Sequence, residues 1–101
     1  EKMLANTVKL GKYLKTQLIK LQTAFPIIKE VRGIGLMLGV DCGDSATVKK
    51  IINYCLANQL VLISTGGDGT VIRFIPALNI NKKQIDQALN IFRSALQNVS
   101  V

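Results

Sequence analysis

Residues 61–75 read VLISTGGDGTVIRFI, and this stretch decides the fold. Two apolar runs, Val61-Leu62-Ile63-Ser64 and Val71-Ile72-Arg73-Phe74-Ile75, flank the turn Thr65-Gly66-Gly67-Asp68-Gly69-Thr70. Short runs of β-branched and aromatic residues on either side of a glycine-rich turn spell a β-hairpin. Pro76 follows, and because proline has no amide hydrogen to donate, it stops the pairing. Upstream, Leu36 to Val40 reads as a strand, with Leu36, Leu38 and Val40 on one face and Met37 and Gly39 on the other. Between that strand and the hairpin, residues 46–57 form a helix burying Val48, Ile51, Ile52, Cys55 and Leu56. The loop Asp41-Cys42-Gly43-Asp44-Ser45 supplies its cap and Asn58 suits its end.

The two ends of the chain are helical. Residues 2–22 carry Leu4, Val8, Leu14, Leu18 and Leu21 at helical spacing. Gly11 interrupts this helix, which calls for close packing or a bend there. Phe25-Pro26 ends it, because the residue before proline avoids helical geometry. Ile27 to Val31 is an extended approach, and Arg32-Gly33-Ile34-Gly35 is a turn. In the last helix Ile85, Leu89, Phe92 and Leu96 make the buried stripe, helped by Ala88 and Ala95. Asn81 and Gln84 have the spacing of a capping box at its start. The predicted fold is α+β, in the order α-β-α-β-β-α. The third strand lies between the first two in a three-stranded antiparallel sheet, and helices cover one face. The other face, with Met37, Gly39 and apolar hairpin residues, is expected to rest against another domain or subunit.

The bulk numbers limit the functions. At 101 residues and 49% hydrophobic, the chain is one domain with an ordinary core. It opens inside a helical pattern without an initiator methionine, so residues 1–101 are expected to be a single domain of something longer. No apolar run has the length of a membrane span, and the N-terminus does not resemble a signal peptide. There is no histidine, and Cys42 and Cys55 form no CxxC pair, which argues against zinc and for free buried thiols in a reducing cytoplasm.

The net charge of +7 raises nucleic acid as a partner. Its spread argues against one. Lys2, Lys9, Lys12, Lys15 and Lys20 are distributed along one helix, Lys49, Lys50, Lys82 and Lys83 begin two others, and no aromatic stripe interleaves them.

Little in the chain can do chemistry alone. Without histidine, neither a Ser-His nor a Cys-His pair exists. No lysine has the apolar setting that would suit a Schiff base. Gly66-Gly67-Asp68-Gly69 runs from strand to strand, whereas phosphate loops run from strand into helix. Gly33-Ile34-Gly35 precedes its strand and does not follow one, so it is no dinucleotide fingerprint; its glycines allow a tight turn or close backbone approach.

Arg73 is the residue that stands out. A guanidinium in an apolar strand needs an anionic partner, and its planar fork fits a carboxylate. The pattern alone leaves a second reading open, an exposed arginine on the outer face of an edge strand.

Three stretches together resemble the class III pyridoxal-phosphate-dependent aminotransferases, over essentially the whole chain. Val31-Arg32-Gly33-Ile34-Gly35-Leu36-Met37-Leu38-Gly39 is similar to the family's VRG-x-GLM-x-G segment. Residues Val71 to Ile80, VIRFIPALNI, are similar to its IRF-x-PPL-x-I segment, with Ala77 where a second proline is common. Ile85, Asp86 and Ala88-Leu89 fit its I-D-x-AL ending, and Gly11-Lys12-Tyr13-Leu14 fits its opening helix.

The resemblance implies a fold-type-I enzyme of which this is the C-terminal small domain. The large domain, absent from this chain, would carry pyridoxal 5'-phosphate and its lysine. It implies that Arg73 binds a substrate carboxylate and that this domain closes the site. It also implies amino-acid and keto-acid substrates, a homodimer, and a cytoplasmic enzyme without membrane or nucleic-acid partners. The short connections look most like the acetylornithine branch of the acetylornithine/ornithine group, which moves an amino group between N-acetylornithine and 2-oxoglutarate in arginine biosynthesis. The competing expectation is a stand-alone α/β module binding RNA or a metabolite on its open sheet face. A third is a purely structural dimerisation piece.

Overall fold

The computed structural model describes residues 2–34, 37–65, 68–74 and 81–100, and the side chains among them except those of residues 2–7 and Ile34. Gly35, Leu36, Gly66, Gly67 and residues 75–80, Pro76 included, lie outside the described residues, as does the side chain of Leu4. The elements run α1 (Lys2–Ala24), β1 (Glu30–Ile34), β2 (Met37–Asp41), α2 (Ser45–Ala57), β3 (Ile63–Thr65), β4 (Val71–Phe74) and α3 (Lys82–Ser100).

Among the described residues the sheet has four strands in the order β1-β2-β4-β3, every neighbouring pair antiparallel. This corrects the three-stranded expectation. The hairpin's second strand does lie between β2 and β3, as the connectivity argued. The added strand is β1, where a turn was expected at residues 32–35. Ile34 at the end of β1 and Met37 at the start of β2 are register partners. Gly33 explains the misreading. Its φ is +123°, and a Cβ there would lie 2.1 Å from the carbonyl oxygen of Met37. The glycine serves close approach of two strand backbones, although in sequence it looks like a turn marker and blanks the alternation of its strand.

Alternation sorts the sheet into two faces. Leu38, Val40, Ile72 and Phe74 are buried beneath the helices. Leu38 is paired with Phe74 and Val40 with Ile72, which puts each pair on one face. The Phe74 and Phe92 rings meet edge to face, with centroids 5.0 Å apart and planes at 88°.

Leu10, Leu14 and Leu18 of α1, Val48, Ile51 and Cys55 of α2, and Ile85, Leu89, Phe92, Ala95 and Leu96 of α3 complete the core. Gly11 is buried inside an unbroken α1, the close-packing alternative. Among the expected core positions Val8 is 48% exposed and Leu56 56%, and Ile52 and Ala88 are only partly buried. Each lies at the edge of its helix's apolar stripe, and only the neighbouring helix's position could exclude it.

Local chemistry sets the helix ends. Asp44 caps α2, accepting from the Thr47 amide at 3.2 Å and its hydroxyl at 2.6 Å. Asn81 and Gln84 form the reciprocal box at α3, with bonds of 3.0 and 2.8 Å between each backbone amide and the other's side chain.

Candidate functional site

Arg73 lies in β4, flanked by β2 and β3, with Gly39 and Ile63 as its register partners. It is therefore not on an edge strand, and it is half-buried. Because Ile72 and Phe74 face the helices, Arg73 faces the other way, onto the open face. Directly paired residues share a face, so the row Arg32, Gly39, Arg73, Ile63 crosses all four strands on that side. The next row holds Glu30, Asp41, Val71 and Thr65. Apolar side chains are displayed on this face too: Met37 is 63% exposed and Ile63 49%.

The two arginines are in different electrical situations. The Arg32 guanidinium donates to Asp41 at 3.0 Å and stands 3.9 Å from a Glu30 carboxylate oxygen. Among the described residues Arg73 has neither an ion pair nor a side-chain hydrogen bond. A shallow cavity of about 190 Å³ lies beside it, lined in part by Arg32, Met37, Gly39, Thr65 and Val71. A planar guanidinium at such a cavity, uncompensated by the described carboxylates, can take a carboxylate through two parallel hydrogen bonds.

A larger cleft, of about 550 Å³, lies on the helical side between α1 and α3. Its carboxylate, Asp86, is already engaged: the Tyr13 hydroxyl donates to it, and Lys82 Nζ lies 3.3 Å from it. Lys82 also stands 4.9 Å from the centre of the Tyr13 ring. The hydrogen bond to Asp86 raises the pKa of Tyr13 and lowers that of Asp86. This cluster ties α1 to α3 and offers neither a free base nor a nucleophile.

The thiols of Cys42 and Cys55 are free and buried, and burial pushes each up to about 11. A thiol held protonated makes a poor nucleophile. Among the described residues, no group of three or more histidine, cysteine, aspartate or glutamate side chains could hold a metal ion.

The sequence model of the class III aminotransferases matches residues 1–96. The chain belongs to the class III aminotransferases. It is 41% identical over 87 residues to an acetylornithine aminotransferase of Clostridium acetobutylicum, covering 86% of this chain and 21% of that protein. It is 37% identical over 100 residues to an ornithine aminotransferase of Bacillus subtilis, covering 97% and 23%. Among solved structures, the lysine aminotransferase from M. tuberculosis superposes with a TM-score of 0.90 at 30% identity, over 97% of this chain and 22% of that one. An N-acetylornithine aminotransferase from Stenotrophomonas maltophilia gives 0.84 at 28%, over 96% and 27%. The chain thus spans about a fifth of the length of the curated relatives it matches.

Class III aminotransferases depend on pyridoxal phosphate. The lysines described here do not suit its attachment. Every lysine whose side chain is described is exposed, except half-buried Lys15, which donates to the Gly33 carbonyl at 3.0 Å. Arg73 is the carboxylate-gripping candidate among these residues. What the sequence reading missed is the neighbourhood: Gly39 and Arg32 share Arg73's row, which only strand register reveals.

Proposed function

We propose that this chain is the C-terminal small domain of a longer, homodimeric cytoplasmic aminotransferase of the acetylornithine type, and that Arg73 binds the substrate carboxylate. The observation that carries the reading is Arg73 itself. It is half-buried in an internal strand, faces a cavity on the open side, and has no anionic partner among the described residues. A buried or half-buried guanidinium kept without a partner is costly unless a ligand supplies the anion. Relatives named as acetylornithine aminotransferases support the choice of N-acetylornithine and 2-oxoglutarate as substrates, although ornithine aminotransferases match as well.

In this reading pyridoxal phosphate, held elsewhere in the polypeptide, supplies the electron sink for amino transfer. This chain supplies orientation. Arg73 fixes the carboxylate end of the amino or keto acid, so the carbon that reacts is presented at a set distance and angle. The apolar open face, with Met37 and Ile63, rests against the rest of the enzyme and keeps water from the gripped carboxylate.

The test is Arg73→Ala in the full-length polypeptide. Cofactor absorbance is expected to be unchanged. Loss of a charged bidentate contact costs about 1.5–3 kcal/mol, or roughly 10- to 150-fold in kcat/KM. Wild-type efficiency in that variant would remove Arg73 from the site.

A further inference from the structure

Arg73 has two cross-strand neighbours on the open face, and they are opposites. Ile63 fills its position with a branched side chain, while Gly39 leaves its position bare. Beyond Gly39 in the same row stands Arg32. Two strand spacings separate the backbones of Arg32 and Arg73, about 9–10 Å. The cavity of about 190 Å³ is lined by both arginines and by Gly39 between them. Arg32 is committed to Asp41 at 3.0 Å and so walls the space without competing for the anion. A Cβ added at Gly39 would come within 3.1 Å of Val71 Cγ1, so the room there is already close to its lower limit.

We propose that Gly39 is a specificity-determining position: the space above its missing side chain receives the carbon next to the carboxylate that Arg73 grips. This rests on the reading of Arg73 as the carboxylate-binding residue and names the space its ligand uses. Of the two cross-strand flanks of Arg73, that of Ile63 is occupied and that of Gly39 is bare, so a ligand held by Arg73 extends toward Gly39. The position then discriminates by the bulk on that carbon, and a methyl group at residue 39 competes with it for the same volume.

The test uses full-length holoenzyme and two carboxylate probes of different bulk, formate and pentanoate, as inhibitors competitive with the amino-acid substrate. In Gly39→Ala, the Ki of pentanoate is expected to rise on the order of tenfold, with formate changed less than twofold, because formate has no carbon to place over residue 39. The KM of the amino acid should rise with the Ki of pentanoate, and kcat should fall less. Equal weakening of both probes, or of neither, overturns the proposal. Should Gly39→Ala fail to fold, Val71→Leu narrows the same space from its wall and carries the same expectation. Arg73→Ala separates the two ideas. If it weakens both probes while Gly39→Ala leaves pentanoate unchanged, the Gly39 inference alone fails. If Arg73→Ala leaves both unchanged, the underlying reading fails.

Discussion

Phe92→Ala tests the packing that aims Arg73. Phe92 is fully buried on α3, and its ring meets that of Phe74, the residue after Arg73, edge to face at 5.0 Å. Phe74 on the helical side is the anchor that keeps Arg73 on the other. Truncating a fully buried phenylalanine to alanine costs about 3–5 kcal/mol, combining lost transfer energy with the cavity left behind. Of that, about 0.5–1.5 kcal/mol is the ring–ring geometry beyond area burial.

A domain of this size has about 5–15 kcal/mol in all, so the loss removes a large part of it. At about 4–8 °C per kcal/mol, the melting temperature should fall by roughly 12–40 °C. Urea unfolding of the chain, followed by circular dichroism, measures the free energy. A double-mutant cycle with Phe74→Leu and Phe92→Leu isolates the ring pair. A loss below about 1.5 kcal/mol for Phe92→Ala would refute the packing argument, since cavity formation at a closed site cannot be that cheap. A coupling near zero in the cycle would refute the edge-to-face contribution alone.

Other consequences are directly measurable. Gly33→Ala forces a side chain into positive φ and onto the Met37 carbonyl, so a stability loss of at least about 1–3 kcal/mol is expected in the same assay. Asp86, whose pKa is lowered chiefly by the Tyr13 hydroxyl, contributes stability above its unfolded value of about 3.9 and loses it as pH falls through the lower folded value. Tyr13 has the opposite sign, its contribution persisting below about pH 10 and lost as pH rises through its raised folded value. Tyr13→Phe should therefore flatten the acid limb of a stability–pH curve, and an unchanged limb would contradict the pair. Cys42 and Cys55, at about 11, should resist an aromatic disulfide reagent at pH 8 when folded and both react in urea; fast labelling of the native chain would show that they are not buried.

Much of this molecule is legible in one dimension. The paired strands β3 (Ile63–Thr65) and β4 (Val71–Phe74), the three helices and their caps follow from spacing and capping chemistry, which act over a few residues. The Asn81–Gln84 box formed as its spacing required. The position of β4 between β2 and β3 follows from connectivity. Arg73 was also visible, because a cation in an apolar run is conspicuous wherever it folds. Strand β1 was not, since a glycine that permits close backbone approach carries the same letter as one that makes a turn.

The sequence by itself determined the class of fold and the family, and singled out a candidate residue for gripping an anion, because periodicity and motif order are local or linear properties. The tertiary structure decided what surrounds that residue. Arg32, Gly39, Arg73 and Ile63 are scattered over 42 positions of sequence and become one row only through strand register, a matter of backbone hydrogen bonds between distant segments. That row makes one arginine committed and the other available, with a bare glycine between them.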